Sequence, residues 1–243
     1  APDLHKPSHS MPFKILAINP GSTSTKIAVY TDDHPDFSFS IEHTPDELAR
    51  FQQVTDQFDW RKDLIEAALA ERGVDVRSFD AVIGRGGFVG PIESGVYEVN
   101  EALVYDLVHA RKQHASNLGG LIAGDIAREI GVKAYIADPV VVDEMMPYAR
   151  ISGIPELPRE SVFHALNQKA VARLFAKENN RRYEEVNLIV CHMGGGVTVS
   201  AHRRGRVIDT TNGLDGCGPF SPERSGSLPP GALIRLCFSG RYT

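Results

Sequence analysis

The chain has 243 residues, 42% of them hydrophobic and 23% charged, the composition of a globular protein with a substantial core. Its 26 Lys and Arg stand against 31 Asp and Glu, for a net charge of −5. No stretch is basic enough to track a nucleic-acid backbone, and no apolar run approaches the roughly 18 residues of a membrane span, so neither partner is expected.

Residues 1–11 lack the apolar centre of a signal peptide and read as a disordered leader or an expression remnant. Phe13 to Ile18 and Lys26 to Thr31 predict a β-hairpin. Phe37 to His43 predicts a third strand, because Phe37, Phe39 and Ile41 alternate with polar residues. Asp59 to Arg72 predicts a helix with Leu64, Ile65, Ala68 and Leu69 on one face and Gly73 ending it. Phe79 to Gly84 predicts a short buried strand, followed by the turn Gly84-Arg85-Gly86-Gly87. Ser116 opens a helix whose Leu118, Ile122, Ile126 and Ile130 recur every four residues until Gly131. Lys133 to Ala137 is a further strand, ending at Asp138-Pro139.

The proline-containing segment Tyr148 to Pro158 suggests a boundary between domains 12–147 and 148–243. Beyond it, Ser161 is expected to cap a helix with Val162, Leu166, Val171, Leu174 and Phe175 as its apolar side. A strand-turn-strand pattern restarts at Val186, and Arg203-Arg204-Gly205-Arg206 fits a solvated hairpin tip. A helix is expected over Pro230 to Phe238. The second half thus repeats the opening of the first and then looks unfinished. Cys191, Cys217 and Cys237 are too widely spaced to imply a disulfide framework or a zinc site. Cys191, at the end of an apolar run, is expected to be a small buried hydrophobe.

Two glycine-centred turns carry the chemical signal. Asn19-Pro20-Gly21-Ser22-Thr23-Ser24-Thr25-Lys26 joins the first two strands, and His192-Met193-Gly194-Gly195-Gly196 joins the pair that begins the second half. Glycine permits close backbone approach, and successive N–H groups in such a turn form a concavity for anions. The first turn is not a Walker A loop. It offers four consecutive hydroxyls, a carboxamide and Lys26, more than a polar hairpin tip requires. Three glycines between Val- and Ile-rich strands weaken a sheet unless something must come close. Asp138 suits either a helix N-cap with Pro139 at N1 or a Mg²⁺ ligand at a strand end. His114, Asn117, Phe163-His164, Arg85 and Arg224 are each uninformative alone.

Together, Asn19 to Lys26, His192 to Gly196 and Glu223-Arg224-Ser225-Gly226 resemble the acetate/butyrate kinase family. Gly84-Arg85-Gly86-Gly87 and His114-Ala115-Ser116-Asn117-Leu118-Gly119 are similar to its butyrate kinase branch. The resemblance runs from about Phe13 to Thr243. It implies an α/β architecture, the actin-like ATPase (ribonuclease H-like) fold: two duplicated β-β-β-α-β-α-β-α domains hinged over a nucleotide cleft, the second incomplete here.

The implied activity is reversible phosphoryl transfer from ATP to a short-chain carboxylate such as butyrate, with Mg²⁺, in the cytoplasm and in a homo-oligomer. Acetate or propionate kinase is the nearest alternative. A non-catalytic nucleotide-binding remnant is another, because the family continues well past Thr243. By the resemblance Asn19, Gly21, Ser22, Thr23, Ser24, Lys26, His192, Gly194, Gly195 and Gly196 bind ATP phosphates. Asn19, Ser22 and Asp138 lie by the metal. Arg85, Asp138, His164 and Arg224 are catalytic, and Arg85, His114, Asn117 and Phe163 lie on the substrate side. A carboxylate is ionised at neutral pH and needs no general base, whereas joining two anions needs concentrated positive charge.

Overall fold

Alternating apolar and polar side chains over Lys14–Pro20 (β1) and Ser24–Thr31 (β2) produce an antiparallel hairpin in which Leu16, Ile18, Ile27 and Val29 point into the core. The computed structural model describes residues 11–215 and 217–242. The leader expected over 1–11 therefore lies, apart from Met11, outside the described residues. The chain divides into two compact units. One comprises the residues up to Val89 with Val96–Ala137; the other comprises Gly90–Gly95 with the residues from Asp138 on. The division thus falls ten residues before the expected 148, and a six-residue loop of the first half joins the second unit.

In the first unit His34–Glu42 (β3) extends the hairpin, and Ala81–Arg85 (β4) and Lys133–Ala137 (β6) add parallel strands beside β1. Val96–Glu98 (β5) closes the far edge antiparallel to β6, giving the order β3-β2-β1-β4-β6-β5. Pro45–Leu48 (α1) is one capped turn held by Thr44 and Glu47. Phe58–Glu71 (α2) and Asn117–Ile130 (α4) cover the sheet with Ile65, Leu69, Leu118, Ile122 and Ile126, all fully buried against Leu16, Val82 and Ile136. Each such side chain contributes about 1.5–3 kcal/mol. Gly131 ends α4 at φ 77°, as the sequence predicts. Glu101–Val108 (α3), capped by Asn100, and β5 are elements the sequence reading did not anticipate.

In the second unit Asn187–Met193 (β7), Val197–Arg203 (β8) and Arg206–Thr210 (β9) form an antiparallel meander that repeats β1-β2-β3. Arg204 and Gly205 form its second tip with φ of 50° and 84°, the mirror-image turn that suits a two-residue hairpin. Pro230–Cys237 (α6) is the expected late helix.

The other long helix of this unit, Ala165–Glu178 (α5), differs from expectation in two ways. It starts four residues after Ser161, whose hydroxyl instead donates to the Val142 carbonyl at 2.6 Å. Its buried side is Ala165, Gln168, Lys169, Ala172 and Ala176, while Leu166, Val171, Leu174 and Phe175 are exposed. The small residues let α5 sit close to the meander, where Lys169 pairs with buried Glu144 at 2.8 Å. Cys191 is exposed rather than buried, because alternation along β7 turns it outward with Ile189 and Met193.

Candidate active site

Each unit gathers part of the expected residue set. In the first, the tip between β1 and β2 is pinned from beneath by Arg61 of α2, whose side chain is only 1% exposed. Its guanidinium donates to Gly21 O at 2.9 Å, Ser24 O at 3.2 Å and Thr25 Oγ1 at 2.9 Å, with a longer contact to Ser22 O at 3.4 Å. Its Nε donates to Gln57 Oε1 at 3.0 Å. Among the described residues none of these partners is a carboxylate. Burial lowers its pKa to about 10, which still leaves a cation at neutral pH.

In a trans peptide the N–H points opposite to the carbonyl. Carbonyls of Gly21 and Ser22 turned toward Arg61 therefore leave the N–H groups of Ser22 and Thr23 on the other side. The hydroxyls of Ser22 and Thr23 lie on the exposed surface of the tip, and Lys26 is exposed on β2 opposite Asn19. Beside Arg61, His43 Nε2 meets Thr25 Oγ1 at 2.8 Å, and burial, reinforced by Arg61, pushes its pKa down to about 4.

Arg85 ends β4, and its Nη1 donates to Asn19 Oδ1 at 3.4 Å. Burial moves its pKa below the ordinary arginine range. The glycines around it are required by contact. A Cβ on Gly84 would lie 2.0 Å from Gly119 O, and one on Gly119 would lie 2.3 Å from Arg85 O. The backbone of β4 thus touches the first turn of α4 with no side chain between.

Asn117 does not face outward as a substrate contact. It is fully buried, and its amide donates to Lys112 O at 3.0 Å and accepts from Phe88 N at 2.9 Å. It ties two loops together instead. His114 takes the Ser116 N–H on Nδ1 at 3.1 Å and lies T-shaped to the Phe88 ring, with planes 71° apart.

In the second unit the expected residues come together around the β7-β8 tip. His164, the residue that caps α5, stacks on His192 of β7, with ring centroids 3.7 Å apart and planes within 11°. His192 Nδ1 bonds Asn167 Oδ1 at 2.9 Å. A Cβ on Gly196 would lie 2.5 Å from Arg224 Nη1 and 3.1 Å from His164 Cε1, and one on Gly195 would meet Glu223 at 2.4 Å. The three glycines therefore admit Glu223, Arg224 and His164 against the tip, as close approach requires. Arg224 is part-buried there, with 29% of its side chain exposed, and is not a freely solvated loop charge. Phe163 is 2% exposed in a core with Val142, Ala165 and Val207. It anchors His164 rather than lining a substrate pocket.

Asp138 follows β6 at φ 36°, and no helix begins at it, so the N-cap alternative falls away. Oδ1 accepts from Ser94 Oγ at 2.6 Å and Gly95 N at 2.9 Å, and Oδ2 accepts from half-exposed Arg173 at 3.2 Å. Among the described residues no three His, Cys, Asp or Glu side chains are grouped to hold a metal alone. Mg²⁺ takes few protein ligands and prefers water and phosphate oxygens. One oriented carboxylate at Asp138 fits that demand. No helix among the described residues is long and apolar enough to cross a membrane.

Arg61, His43, Gln168 and Thr198 escaped the sequence reading. For Arg61 a signal exists: it stands in line with Ile65 and Leu69 at spacings of four on the buried face of α2.

Comparison with known proteins bears on the same features. Residues 156–238 match the model of the acetokinase family. Butyrate kinase 2 of Clostridium acetobutylicum is 57% identical over 234 residues, 96% of this chain and 66% of the relative. Butyrate kinase 1 of the same organism is 56% identical over 232 residues, 95% of this chain and 65% of the relative. The chain thus spans slightly less than two thirds of their length. Porphyromonas gingivalis acetate kinase superposes with a TM-score of 0.72 at 17% identity, covering 95% of this chain and 65% of that one, which shows the actin-like ATPase fold. Residues 156–238 carry an acetokinase family domain, and the chain as a whole is similar to butyrate kinases.

Proposed function

We propose that the protein is a butyrate kinase-like phosphotransferase, moving the γ-phosphoryl group of ATP to a short-chain carboxylate and back. The observation that carries this reading is the second-unit cluster: two stacked histidines and an arginine pressed against a triple-glycine tip. Phosphoryl transfer needs positioning and electrostatic stabilisation more than covalent chemistry by the protein. Arg224 is assigned the charge on the transferring group, a role worth on the order of 10³ to 10⁵ in rate. His164 and His192 donate hydrogen bonds to its oxygens, and Gly194, Gly195 and Gly196 let phosphate approach the backbone. The hydroxyls of Ser22, Thr23 and Ser24, with Asn19, Gly21 and Lys26, are assigned to nucleotide phosphate. Arg85 and His114 are assigned to the carboxylate.

Asp138, and separately Asn19 and Ser22, offer the oxygen ligands that Mg²⁺ prefers. When bound, the ion would neutralise phosphate charge. The location is proposed as cytoplasmic and the assembly as a homo-oligomer, which light scattering on the purified chain tests.

Incubation with butyrate, MgATP and hydroxylamine should give butyryl hydroxamate, faster than acetate gives its own product. Equal or faster turnover of acetate or propionate would move the assignment to those kinases. Silence with all three acids would refute catalysis by this chain.

A further inference from the structure

Behind His164 lies a line of buried polar groups that the proposed reaction does not use directly. Tyr183 OH lies 2.6 Å from His202 Nδ1, and His202 Nε2 lies 3.1 Å from Gln168 Oε1. Gln168 Nε2 lies 2.8 Å from Thr198 Oγ1 and 3.2 Å from Thr198 O. Thr198 Oγ1 lies 2.9 Å from His164 Nδ1. Gln168, Thr198 and His202 are each at most 2% exposed, and Tyr183 is buried at 5%.

Donor and acceptor roles follow link by link. The Thr198 carbonyl can only accept, so the nitrogen end of Gln168 faces it and the oxygen end faces His202. His202 must then carry its proton on Nε2. Burial, and then Lys169, pushes the His202 pKa down to about 4, so the ring is neutral and Nδ1 accepts from Tyr183, whose own pKa burial raises. At Thr198 the hydroxyl oxygen accepts from Gln168 and, at 3.5 Å, from the His164 N–H. A hydroxyl has two lone pairs and one proton. With both lone pairs engaged, the proton is directed to His164 Nδ1.

We propose that Thr198, Gln168, His202 and Tyr183 are positioning residues that hold His164 as the neutral tautomer with its proton on Nε2. The consequence for chemistry rests on the proposed function: an Nε2–H donor can bond a phosphoryl oxygen without giving up its proton. The place of His164 at the N-terminus of α5 acts in the same direction, because a cation is disfavoured there.

The test is a long-range ¹H–¹⁵N correlation spectrum of the histidine-labelled chain, which distinguishes a protonated from an unprotonated ring nitrogen. His164→Gln assigns the resonance by its loss. The expected result is an unprotonated Nδ1 and a protonated Nε2 on His164. Thr198→Val removes the donor and should bring the two tautomers to comparable populations; Thr198→Ser should restore the single form. With the competent share near half, kcat should fall about twofold and KM for butyrate should hold. A parent His164 protonated on Nδ1, or a Thr198→Val spectrum identical to the parent, overturns the proposal. Absence of turnover in the parent chain would count against the proposed function alone, while the spectrum still decides the tautomer. If Thr198→Val does not fold, Gln168→Met takes its place: mixed tautomers support the proposal, and a spectrum identical to the parent overturns it.

Discussion

Replacing Arg61 with Met keeps an unbranched apolar stem while deleting the guanidinium beneath the first glycine turn. Four of its hydrogen bonds are 3.2 Å or shorter. Of the acceptors, Gln57 Oε1 belongs to a residue 9% exposed and cannot recover its bond from water, while Thr25 Oγ1, on a residue 1% exposed, loses Arg61 and keeps His43 Nε2. A buried polar group left without a partner costs about 1–3 kcal/mol. With the lost bond to Thr25 added and relief of the buried charge subtracted, the expected loss is about 2 kcal/mol. The carbonyls of Gly21 and Ser24 lie in a partly open loop and can rehydrate. Their release costs the loop its fixed geometry, and ordering one residue's backbone costs about 1–2 kcal/mol. ATP affinity should therefore fall about tenfold, the equivalent of about 1.4 kcal/mol. Urea denaturation gives the first quantity, and titration calorimetry with MgATP gives the second. Arg61→Lys should recover part of both. A stability change under about 1 kcal/mol together with a Kd within about twofold of the parent would refute the argument.

Gly119→Ala should destabilise by more than about 2 kcal/mol, because its methyl would meet the Arg85 backbone at 2.3 Å and neither chain can yield; Gly153→Ala, with open space around it, should leave the urea midpoint unchanged. Arg224→Ala should abolish acyl hydroxamate formation while lowering the unfolding free energy by less than about 1 kcal/mol; unchanged turnover would remove Arg224 from the mechanism. Stability should fall as pH drops from about 6.5 to about 4. Folded His43 and His202 refuse, down to about 4, the proton that their unfolded counterparts accept near 6.5. Screening keeps each contribution below about 3 kcal/mol, and above pH 7 neither contributes a slope. His43→Gln should flatten the profile measured by urea midpoints, and an unaltered slope would exclude His43 as a source.

The parts of the molecule legible in the sequence are those set by local periodicity. The α4 stripe of Leu118, Ile122 and Ile126, and the alternation of β3, announce their own elements and their buried faces. The first-half hairpin and its repeat are visible because glycine-rich tips interrupt apolar runs. The α5 stripe misleads for a physical reason. Its large apolar residues lie on the exposed side, while Gln168 and Lys169 find partners twenty-five or more positions away. No periodicity encodes such partners. The same limit hides the partners of Arg61, whose turn acceptors lie some forty residues earlier, and the buried contacts of Asn117 and Phe163.

The backbone contact between Gly84 and Gly119 has a mechanical implication. Flexible side chains act as cushions between packed elements, and here there is no cushion. Strand β4 and helix α4 are therefore geared together at that point. A displacement along the helix axis reaches the Arg85 backbone undamped, with the stiffness of the polypeptide itself.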